Sequence, residues 1–222
     1  MYKNFFYFDI ETTSKYSSFF DYKLNDDRGA ELFRKRCEKY KSFDKSWDKE
    51  INDAYIEKSP LLPEFGKIIC ISFGLFDKDV KKIFSIVDDD EEQLLIKFTK
   101  VIIKACKNRY LCGFNIKAFD IPYIIKKLYK YNIDIPICFN FLDRKPWEIL
   151  VKDIYEIWKG TGNMTASLDE ITYDLDINSP KMIMSGNDVH EYYWERKDIK
   201  SIMEYCENDV DATISIMEKL NF

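Results

Sequence analysis

The sequence predicts an α/β domain with a mixed sheet flanked by helices, and two patterns support that fold class. Apolar runs at residues 2–11 and 67–76, the second rich in β-branched residues, indicate strands covered on both faces. Residues 81–87 follow the second run after DKDV, which indicates a hairpin. Strands that first form a hairpin and then alternate with helices are typical of layered α/β or α+β domains.

The remaining elements are predicted in chain order. Acidic residues begin a helix at 88–106, with apolar residues at helical spacing behind them. A short strand at 109–115 precedes an amphipathic helix at 119–131, and a weaker strand is predicted near 135–141. Further helices are predicted at about 146–158, 167–175, 188–195 and 198–219.

Length and charge limit the class of protein. The chain has 222 residues, of which 46% are hydrophobic, so it can bury a substantial core, and we predict a single domain over 1–222. A net charge of −5 argues against a protein that coats nucleic acid with a general basic surface, but it allows a local basic groove. The lysines at 81, 82, 126, 127 and 130 are interpreted as solvated.

Cysteine spacing and hydropathy bear on the compartment. The six cysteines lack Cys-x-x-Cys spacing, which indicates free thiols in a reducing compartment. No signal peptide and no apolar window of membrane-spanning length is visible. We therefore expect an intracellular, cytoplasmic protein that does not bind membranes.

Residues 14–60 interrupt the pattern of strands and helices. They are rich in Lys, Asp and Glu and show helical periodicity, so we predict a helical insertion that leaves the sheet directly after Glu11 and Thr12. Its role is open between a scaffold with solvated charges, a docking surface for a replication partner, and a groove for single-stranded nucleic acid. In the groove, bases would stack on the insertion's aromatic rings, at Phe19, Phe20, Phe33, Phe43 and Trp47.

Asp9 and Glu11 follow an aromatic strand and are one residue apart. Side chains alternate across a strand, so both carboxylates point to the same face. Burying two carboxylates together is unfavourable unless their charge is compensated, and a hard divalent cation with oxygen ligands does this. The pair alone is a weak signal in a chain this acidic.

Two later segments add acids. Asp120 lies in the first turn of the helix predicted at 119–131, where its local alternative role is to complement the helix dipole. Tyr205 and Asp209 stand at i and i+4 of a helix and share a face. Asp211 and Glu207 compete with Asp209, but the i+4 register from Tyr205 favours Asp209.

Together, Asp-x-Glu, Asn-x-x-x-Phe-Asp and Tyr-x-x-x-Asp resemble the motifs of the DEDD superfamily of 3′→5′ exonucleases, in its tyrosine branch (DEDDy). The chain is most similar to stand-alone relatives of the proofreading exonuclease domain of family B DNA polymerases, over 1–13 and 63–222. The segments EFGKIICISFG, CGFNIKAFDIPYIIKK and YCENDVDAT carry the resemblance. It implies a ribonuclease H-like fold, with 14–60 as the main departure, and no polymerase activity is expected.

The resemblance also implies a chemistry, which is phosphodiester hydrolysis with two ions of Mg²⁺ or Mn²⁺. Asp9 would bridge both ions, Glu11 and Asp209 would complete the first, and Asp120 would hold the second. Tyr205 would orient the attacking water and help deprotonate it.

Substrate contacts are implied beside these motifs. Asn115 would bind near the scissile phosphate or support Asp120, and Phe119 either stacks on a base or packs in the core. The only histidine, His190, is interpreted as a surface or packing residue. The residues predicted to bind substrate are Ile10, Thr12, Thr13, Asn115 and Phe119.

Three functions follow as alternatives. The first is a 3′→5′ exodeoxyribonuclease that releases nucleoside 5′-monophosphates from single-stranded or frayed DNA during replication, proofreading or repair. The second is an exoribonuclease with the same site, because nothing in the sequence recognises the sugar 2′-hydroxyl. The third is a non-catalytic adaptor. We expect a monomer, with replication or repair proteins as further partners.

Overall fold

The computed structural model describes residues 2–141, 144–145, 149–180 and 184–221. Its sheet has five strands in the order β3–β2–β1–β4–β5. The pairs β1–β2 and β2–β3 are antiparallel, whereas β1–β4 and β4–β5 are parallel. The predicted α/β class with a mixed sheet is therefore confirmed. The strands are β1 Phe5–Ser14, β2 Gly66–Asp77, β3 Val80–Val87, β4 Tyr110–Gly113 and β5 Val151–Asp153.

Nine α-helices are formed within the described residues. Those after β3 that were predicted at 88–106, 119–131, 167–175, 188–195 and 198–219 each begin and end within three residues of the prediction. The helices are α1 Phe19–Asn25, α2 Asp27–Phe43, α3 Ile51–Lys58, α4 Glu91–Ala105, α5 Asp120–Lys130, α6 Ile154–Lys159, α7 Leu168–Asp174, α8 Val189–Trp194 and α9 Ile199–Lys219.

One strand was predicted at the wrong place. Residues near 135–141 contain only a 3₁₀ turn, Ile137–Phe139, and their apolar character reflects Phe139, which packs in the core. The strand is β5, which lies inside the helix predicted at 146–158. With three residues, β5 is too short to show the two-residue period of a strand. Residues 146–148 lie outside the described part of the chain.

The continuous apolar character of β1 follows from cover on both faces of the sheet. Alternate side chains pack against α4 and α5 on one face and against α7 and α9 on the other. The first set contains Phe6, Phe8 and Ile10, and the second contains Phe5 and Tyr7. Asp9 and Glu11 continue the second set along the strand.

The end of β1 differs from the prediction. The chain does not leave the sheet after Thr12, because pairing with β2 resumes beyond an irregularity between Glu11 and Thr12 and continues to Ser14. Such bulges re-aim neighbouring side chains and are common beside active sites. His190, predicted to be a surface or packing residue, packs at this end of β1. It is buried, and its Nδ1 lies 2.9 Å from Ser14 Oγ.

The insertion has its own aromatic core between α1, α2 and α3. Phe19 and Phe33 are buried in it, and the half-buried Trp47 packs against it. Of the alternatives for the insertion, stacking of bases on Phe19 and Phe33 is therefore contradicted. Phe19 of α1 and Phe33 of α2 lie on the inner faces of their helices, where burial of apolar surface stabilises the three-helix unit. Phe20 and Phe43 are exposed.

Lys127 is not solvated, contrary to the interpretation from sequence. Its side chain is 1% exposed, and its Nζ lies 3.0 Å from Glu91 Oε1 and donates to the Gly66 carbonyl at 2.5 Å. Glu91 Oε1 also accepts the Ile68 N–H at 2.8 Å, and Glu91 Oε2 accepts the Tyr131 hydroxyl at 2.7 Å. This buried pair therefore joins α4, α5 and β2.

Two other expectations concern cysteines and membranes. All six cysteines are free, as predicted. In the part of the chain that the structure describes, no helix has the length and apolarity needed to cross a membrane.

Candidate active site

Three elements bring the predicted acids to one edge of the sheet. Asp9 and Glu11 lie on β1 beyond the part that pairs with β4, and Asp120 is the first residue of α5, which follows β4. Because β1 and β4 are parallel, their carboxyl ends meet at the same edge. Tyr205 and Asp209 come from α9, which packs across β1 and β2.

Gly74 allows α9 to approach the sheet closely. A Cβ at this position would lie 2.8 Å from Ile214 Cδ1 and 2.9 Å from Val210 Cγ1, distances that real side chains do not adopt. A larger residue here would force the Ile214 and Val210 side chains to shift, so Gly74 favours the close approach of α9 to the sheet.

A backbone hydrogen bond holds Asp120 against β1. The pairing of β4 with β1 runs only as far as Tyr7, so the β1 edge beyond it has backbone groups without strand partners. The Ile10 N–H donates to Asp120 Oδ1 at 3.1 Å and satisfies one of them. The carboxylate also complements the amino terminus of α5.

The acids raise one another's pKa values. Burial is the largest cause for Asp9, Glu11 and Asp120, and it raises the pKa of Asp120 to about 8. The charge of Asp209 raises the pKa of all three, and Asp9 and Glu11 are further raised by Asp120. The structure therefore concentrates negative charge that a cation would relieve.

Tyr205 is part of the same electrostatic unit. Its side chain is buried, and burial followed by the charges of Asp209, Glu11 and Asp9 raises its pKa far above the ordinary value. At neutral pH the hydroxyl beside these carboxylates is protonated, so it has a proton to donate in a hydrogen bond.

Cys206 is a site residue that sequence reasoning missed. Ligand-type atoms of Asp9, Glu11 and Cys206 all lie within 4.8 Å of one another. Burial raises the pKa of the Cys206 thiol, so it is protonated and donates to Asp9 Oδ2, at a sulfur–oxygen distance of 3.4 Å. Its only signal in the sequence is its position next to Tyr205.

Asp153 was also missed, and it positions the loop before Asp120. Its buried carboxylate accepts the backbone N–H groups of Asn115 at 2.8 Å, Lys117 at 2.9 Å and Tyr155 at 3.0 Å. Asn115 has a φ of 58°, a left-handed conformation that asparagine tolerates better than most residues. Asp153 precedes α6 as its N-cap, and this role was concealed because the helix predicted at 146–158 begins, among the described residues, only at Ile154.

The two rivals of Asp209 on α9 have other partners. Asp211 forms an exposed ion pair with Lys81, and Glu207 Oε1 accepts the Ser85 hydroxyl at 2.6 Å. Asp209 is the acid of this helix whose charge affects Asp9, Glu11, Asp120 and Tyr205.

A cleft of about 550 Å³ opens beside the acids. Glu11 lines it together with Ile10, Thr12 and Phe119, and residues of α3 and the 3₁₀ turn Ser59–Leu61 form its other wall. Thr12 Oγ1 donates to the Pro60 carbonyl at 2.9 Å, which joins the insertion to the cleft. Three of the predicted substrate-binding residues, Ile10, Thr12 and Phe119, therefore face it.

The other two predicted substrate-binding residues are placed differently. Thr13 is 0% exposed, so the structure does not support a contact of its side chain with substrate. Asn115 does not line the cleft, and its carbonyl accepts the Phe119 N–H at 3.0 Å. Its backbone thus shapes the turn that presents Phe119 and Asp120.

Comparison with known proteins identifies the family. The model of the RNase_H superfamily matches residues 55–221, which is most of the chain. The chain belongs to the RNase_H superfamily. The match begins beyond β1, so it does not include Asp9 or Glu11.

Two similar proteins agree with this membership. The chain is 25% identical to a DNA polymerase of Archaeoglobus fulgidus over 166 residues, which cover 71% of this chain and 20% of the polymerase. The structure of the family B DNA polymerase from Pyrobaculum calidifontis matches 98% of this chain and 24% of that chain, with a TM-score of 0.58 and 15% identity. The chain spans about a fifth to a quarter of these proteins. The ribonuclease H-like fold is confirmed, and the matches support a nuclease-type hydrolase.

Proposed function

We propose that this RNase_H-superfamily chain is a metal-dependent 3′→5′ exonuclease that removes nucleotides from single-stranded or frayed DNA ends. The observation that supports it is the convergence of Asp9, Glu11, Asp120 and Asp209 from three elements beside a cleft. Tyr205 adjoins these acids, as the motifs of DEDD exonucleases imply.

The donor set fits hard divalent cations. Carboxylate oxygens are the ligands that Mg²⁺ and Mn²⁺ prefer, and the mutual repulsion of these buried acids is relieved by positive charge. Asp9, Glu11, Asp120 and Asp209 would hold the ions. When bound, two such ions supply an activated water and stabilise charge on the phosphoryl and leaving oxygens.

Other side chains of the site would orient the attacking water and Asp9 and bind the terminal base. The protonated Tyr205 hydroxyl donates a hydrogen bond and positions the water, and Cys206 fixes the rotamer of Asp9 through its S–H. Phe119 is half-buried at the cleft and offers a ring face to the terminal base. The interpretation of Phe119 as a stacking residue is compatible with its packing against Tyr123 at 5.5 Å between centroids.

The choice of DNA follows from the relatives. Both are DNA polymerases of which the chain matches only a segment, so we infer that this segment acts on a DNA strand. A monomeric state and replication or repair partners remain predictions.

A substrate panel tests the proposal. The protein is incubated with single-stranded DNA and RNA oligonucleotides labelled at the 5′ or the 3′ end, with Mg²⁺ or with a chelator. We expect 5′-labelled DNA to shorten as a ladder and 3′-labelled DNA to release a labelled mononucleotide at once, only with Mg²⁺. If only RNA is shortened stepwise, the substrate is RNA and not DNA. If neither nucleic acid is hydrolysed, the result favours the non-catalytic adaptor over the exonuclease.

Tyr205→Phe should slow hydrolysis by about 10²-fold, because it removes a positioning hydroxyl and keeps the ring and all four acids. The affinity for Mn²⁺ should be unchanged. Single-turnover rates with excess enzyme measure the effect. An undiminished rate would show that the hydroxyl has no part in the reaction.

Stabilisation by Mg²⁺ should grow with pH. In a chelator, the folded state holds more protons than the unfolded state between about pH 4 and pH 8, because folding raises the carboxyl pKa values, that of Asp120 to about 8. The free energy of unfolding therefore falls as pH rises through this window. Mg²⁺ replaces those protons, so its increase in melting temperature should be larger at pH 8 than at pH 5.5. Equal increases in melting temperature at both pH values would contradict the binding of Mg²⁺ by these carboxylates.

A further inference from the structure

A second cleft, of about 680 Å³, lies between the insertion and the sheet. Helix α2 forms one wall, and the residues that link β1 and β2 to the insertion form the other. We name it the basic cleft, because five cations line it against two acids. The cations are Lys15, Arg28, Lys35, Arg36 and Lys39.

The two acids of the basic cleft are occupied by other groups. Asp26 caps α2, where its Oδ1 accepts the Gly29 N–H at 2.8 Å. Glu64 Oε1 lies 3.3 Å from Lys126 Nζ. Among the described residues, no carboxylate lies within 4.0 Å of the cationic groups of Arg28, Arg36 or Lys39. The cleft thus keeps a surplus of positive charge on an otherwise acidic protein.

The positive surface continues onto α5. Lys126 Nζ of α5 lies 3.3 Å from the Oε1 of Glu64, a residue that lines the cleft together with Arg36 of α2. The pKa of Lys15 is lowered by burial and then by the charge of Lys130, near the end of α5. Helices α2 and α5 therefore present their cations to the same region.

Two residues at the basic cleft lie close to the acids along the chain. Lys15, which lines the cleft, is the first residue after β1 and lies four positions after Glu11, a separation of at most roughly 14 Å for an extended chain. Glu64, which also lines the cleft, pairs with Lys126, which lies six positions after Asp120 on α5, or roughly 9 Å at 1.5 Å per residue. A few nucleotides of a single strand span such a distance.

We propose that the basic cleft binds the sugar–phosphate backbone of single-stranded DNA a few nucleotides before its 3′ end. This inference rests on the proposed function for the identity of the ligand. Arg28, Arg36 and Lys39 would contact phosphates, and the cleft would hold the strand by charge without base stacking, since the aromatic residues that line it, Tyr22 and Phe65, are buried.

Binding in a chelator tests the cleft without turnover. The triple variant Arg28→Glu, Arg36→Glu, Lys39→Glu is compared with Lys23→Glu, Lys41→Glu, Lys45→Glu. The control changes the same number of charges in the same insertion, at exposed lysines that do not line the cleft. Fluorescence anisotropy measures the affinity for 5′-labelled oligothymidylates of about 4 and about 16 nucleotides at several salt concentrations.

We expect the cleft variant to bind the longer strand at least about tenfold more weakly, with a salt slope lower by about 2, or 0.7 for each of three lost contacts. The loss should be smaller for the shorter strand, because it has fewer phosphates to place in the cleft. Equal affinity of the two variants for the longer strand, or no binding by the wild type, would overturn the proposal. If Ala replacements at the same positions reproduce the loss with an unchanged melting temperature, misfolding is excluded as its cause.

The outcome is separable from that of the proposed function. If the wild type binds the longer strand through the cleft but does not hydrolyse it with Mg²⁺, the proposed exonuclease activity is contradicted and the proposed binding cleft is supported. If the wild type hydrolyses DNA but the two variants bind it equally well, the activity is supported and the binding cleft is contradicted.

Discussion

Asp9→Asn is expected to reduce hydrolysis of single-stranded DNA by at least about 10³-fold while the protein stays folded. Asp9 lies within 4.8 Å of ligand-type atoms of Glu11 and Cys206, and its pKa is raised by burial and by the charges of Asp120, Asp209 and Glu11. Loss of one preorganised electrostatic group costs about 10²–10³ in rate, and loss of a ligand shared by two ions should cost at least the upper value. Asparagine has the same shape, so packing around β1 is kept. Removing one of several repelling carboxylates should leave the melting temperature in chelator equal or higher.

Asp211→Asn is the matched control for this prediction. It makes the same chemical change on α9, at an exposed acid whose partner is Lys81. Loss of an exposed ion pair changes stability by less than about 1 kcal/mol, and the rate should stay at the wild-type value. If the Asp9→Asn protein hydrolyses DNA at a rate within about tenfold of the wild type, Asp9 does not hold a catalytic metal ion.

Lys127→Ala is expected to lower the free energy of unfolding by about 3 kcal/mol. Removing one partner of a buried pair leaves the other charge uncompensated, and such losses are about 3–5 kcal/mol. The low end applies here because Glu91 keeps the Ile68 N–H, the Tyr131 hydroxyl and Lys130 as partners. Denaturant titration in a chelator measures the change.

Lys126→Ala provides the comparison, one residue away on the same helix. Lys126 is exposed and pairs with Glu64 at 3.3 Å, so its loss should change the free energy of unfolding by less than about 1 kcal/mol. If the two alanine variants unfold at the same denaturant concentration, the Lys127–Glu91 pair does not anchor α5.

Long elements could be predicted from the sequence because their periodicity is carried by many residues. The bounds of α5 and α9 follow from apolar faces that pack on the sheet, and β1 and β2 are recognisable because both faces are covered. The three-residue strand β5 has too few side chains to show a period. A strand was instead predicted near 135–141, where an irregular segment is apolar because Phe139 fills the core.

Two local pairs could be predicted because strand geometry places Asp9 and Glu11 on one face and helix geometry does the same for Tyr205 and Asp209. That these segments and Asp120 meet in space was implied by the resemblance to DEDD exonucleases. Cys206 and Asp153 were missed because their roles depend on contacts between distant segments. The Cys206 thiol reaches Asp9 across 197 positions, and Asp153 reaches the loop at Asn115 across 38. Contacts between residues so far apart along the chain leave no local pattern in the sequence.

The sequence does not show which of the charged side chains are buried. Lys127 looks like its neighbours Lys126 and Lys130 in sequence, yet it is buried because it shares the inner face of α5 with Ile124 and Leu128. Likewise, the insertion's rings and cations are interleaved in sequence but separate in space, with Phe19 and Phe33 inside and Arg28 and Arg36 in the basic cleft.

The central claim is that the four acids form one metal-binding centre, and Mn²⁺ binding tests it without reference to substrate. Titration followed by electron paramagnetic resonance counts the bound ions in the wild type, Asp9→Asn and Asp211→Asn. We expect two ions for the wild type and for Asp211→Asn, and a loss of at least one of them in Asp9→Asn. A wild type that binds no Mn²⁺ at millimolar concentration, or an Asp9→Asn protein that binds as many ions with the same affinity, would contradict the claim.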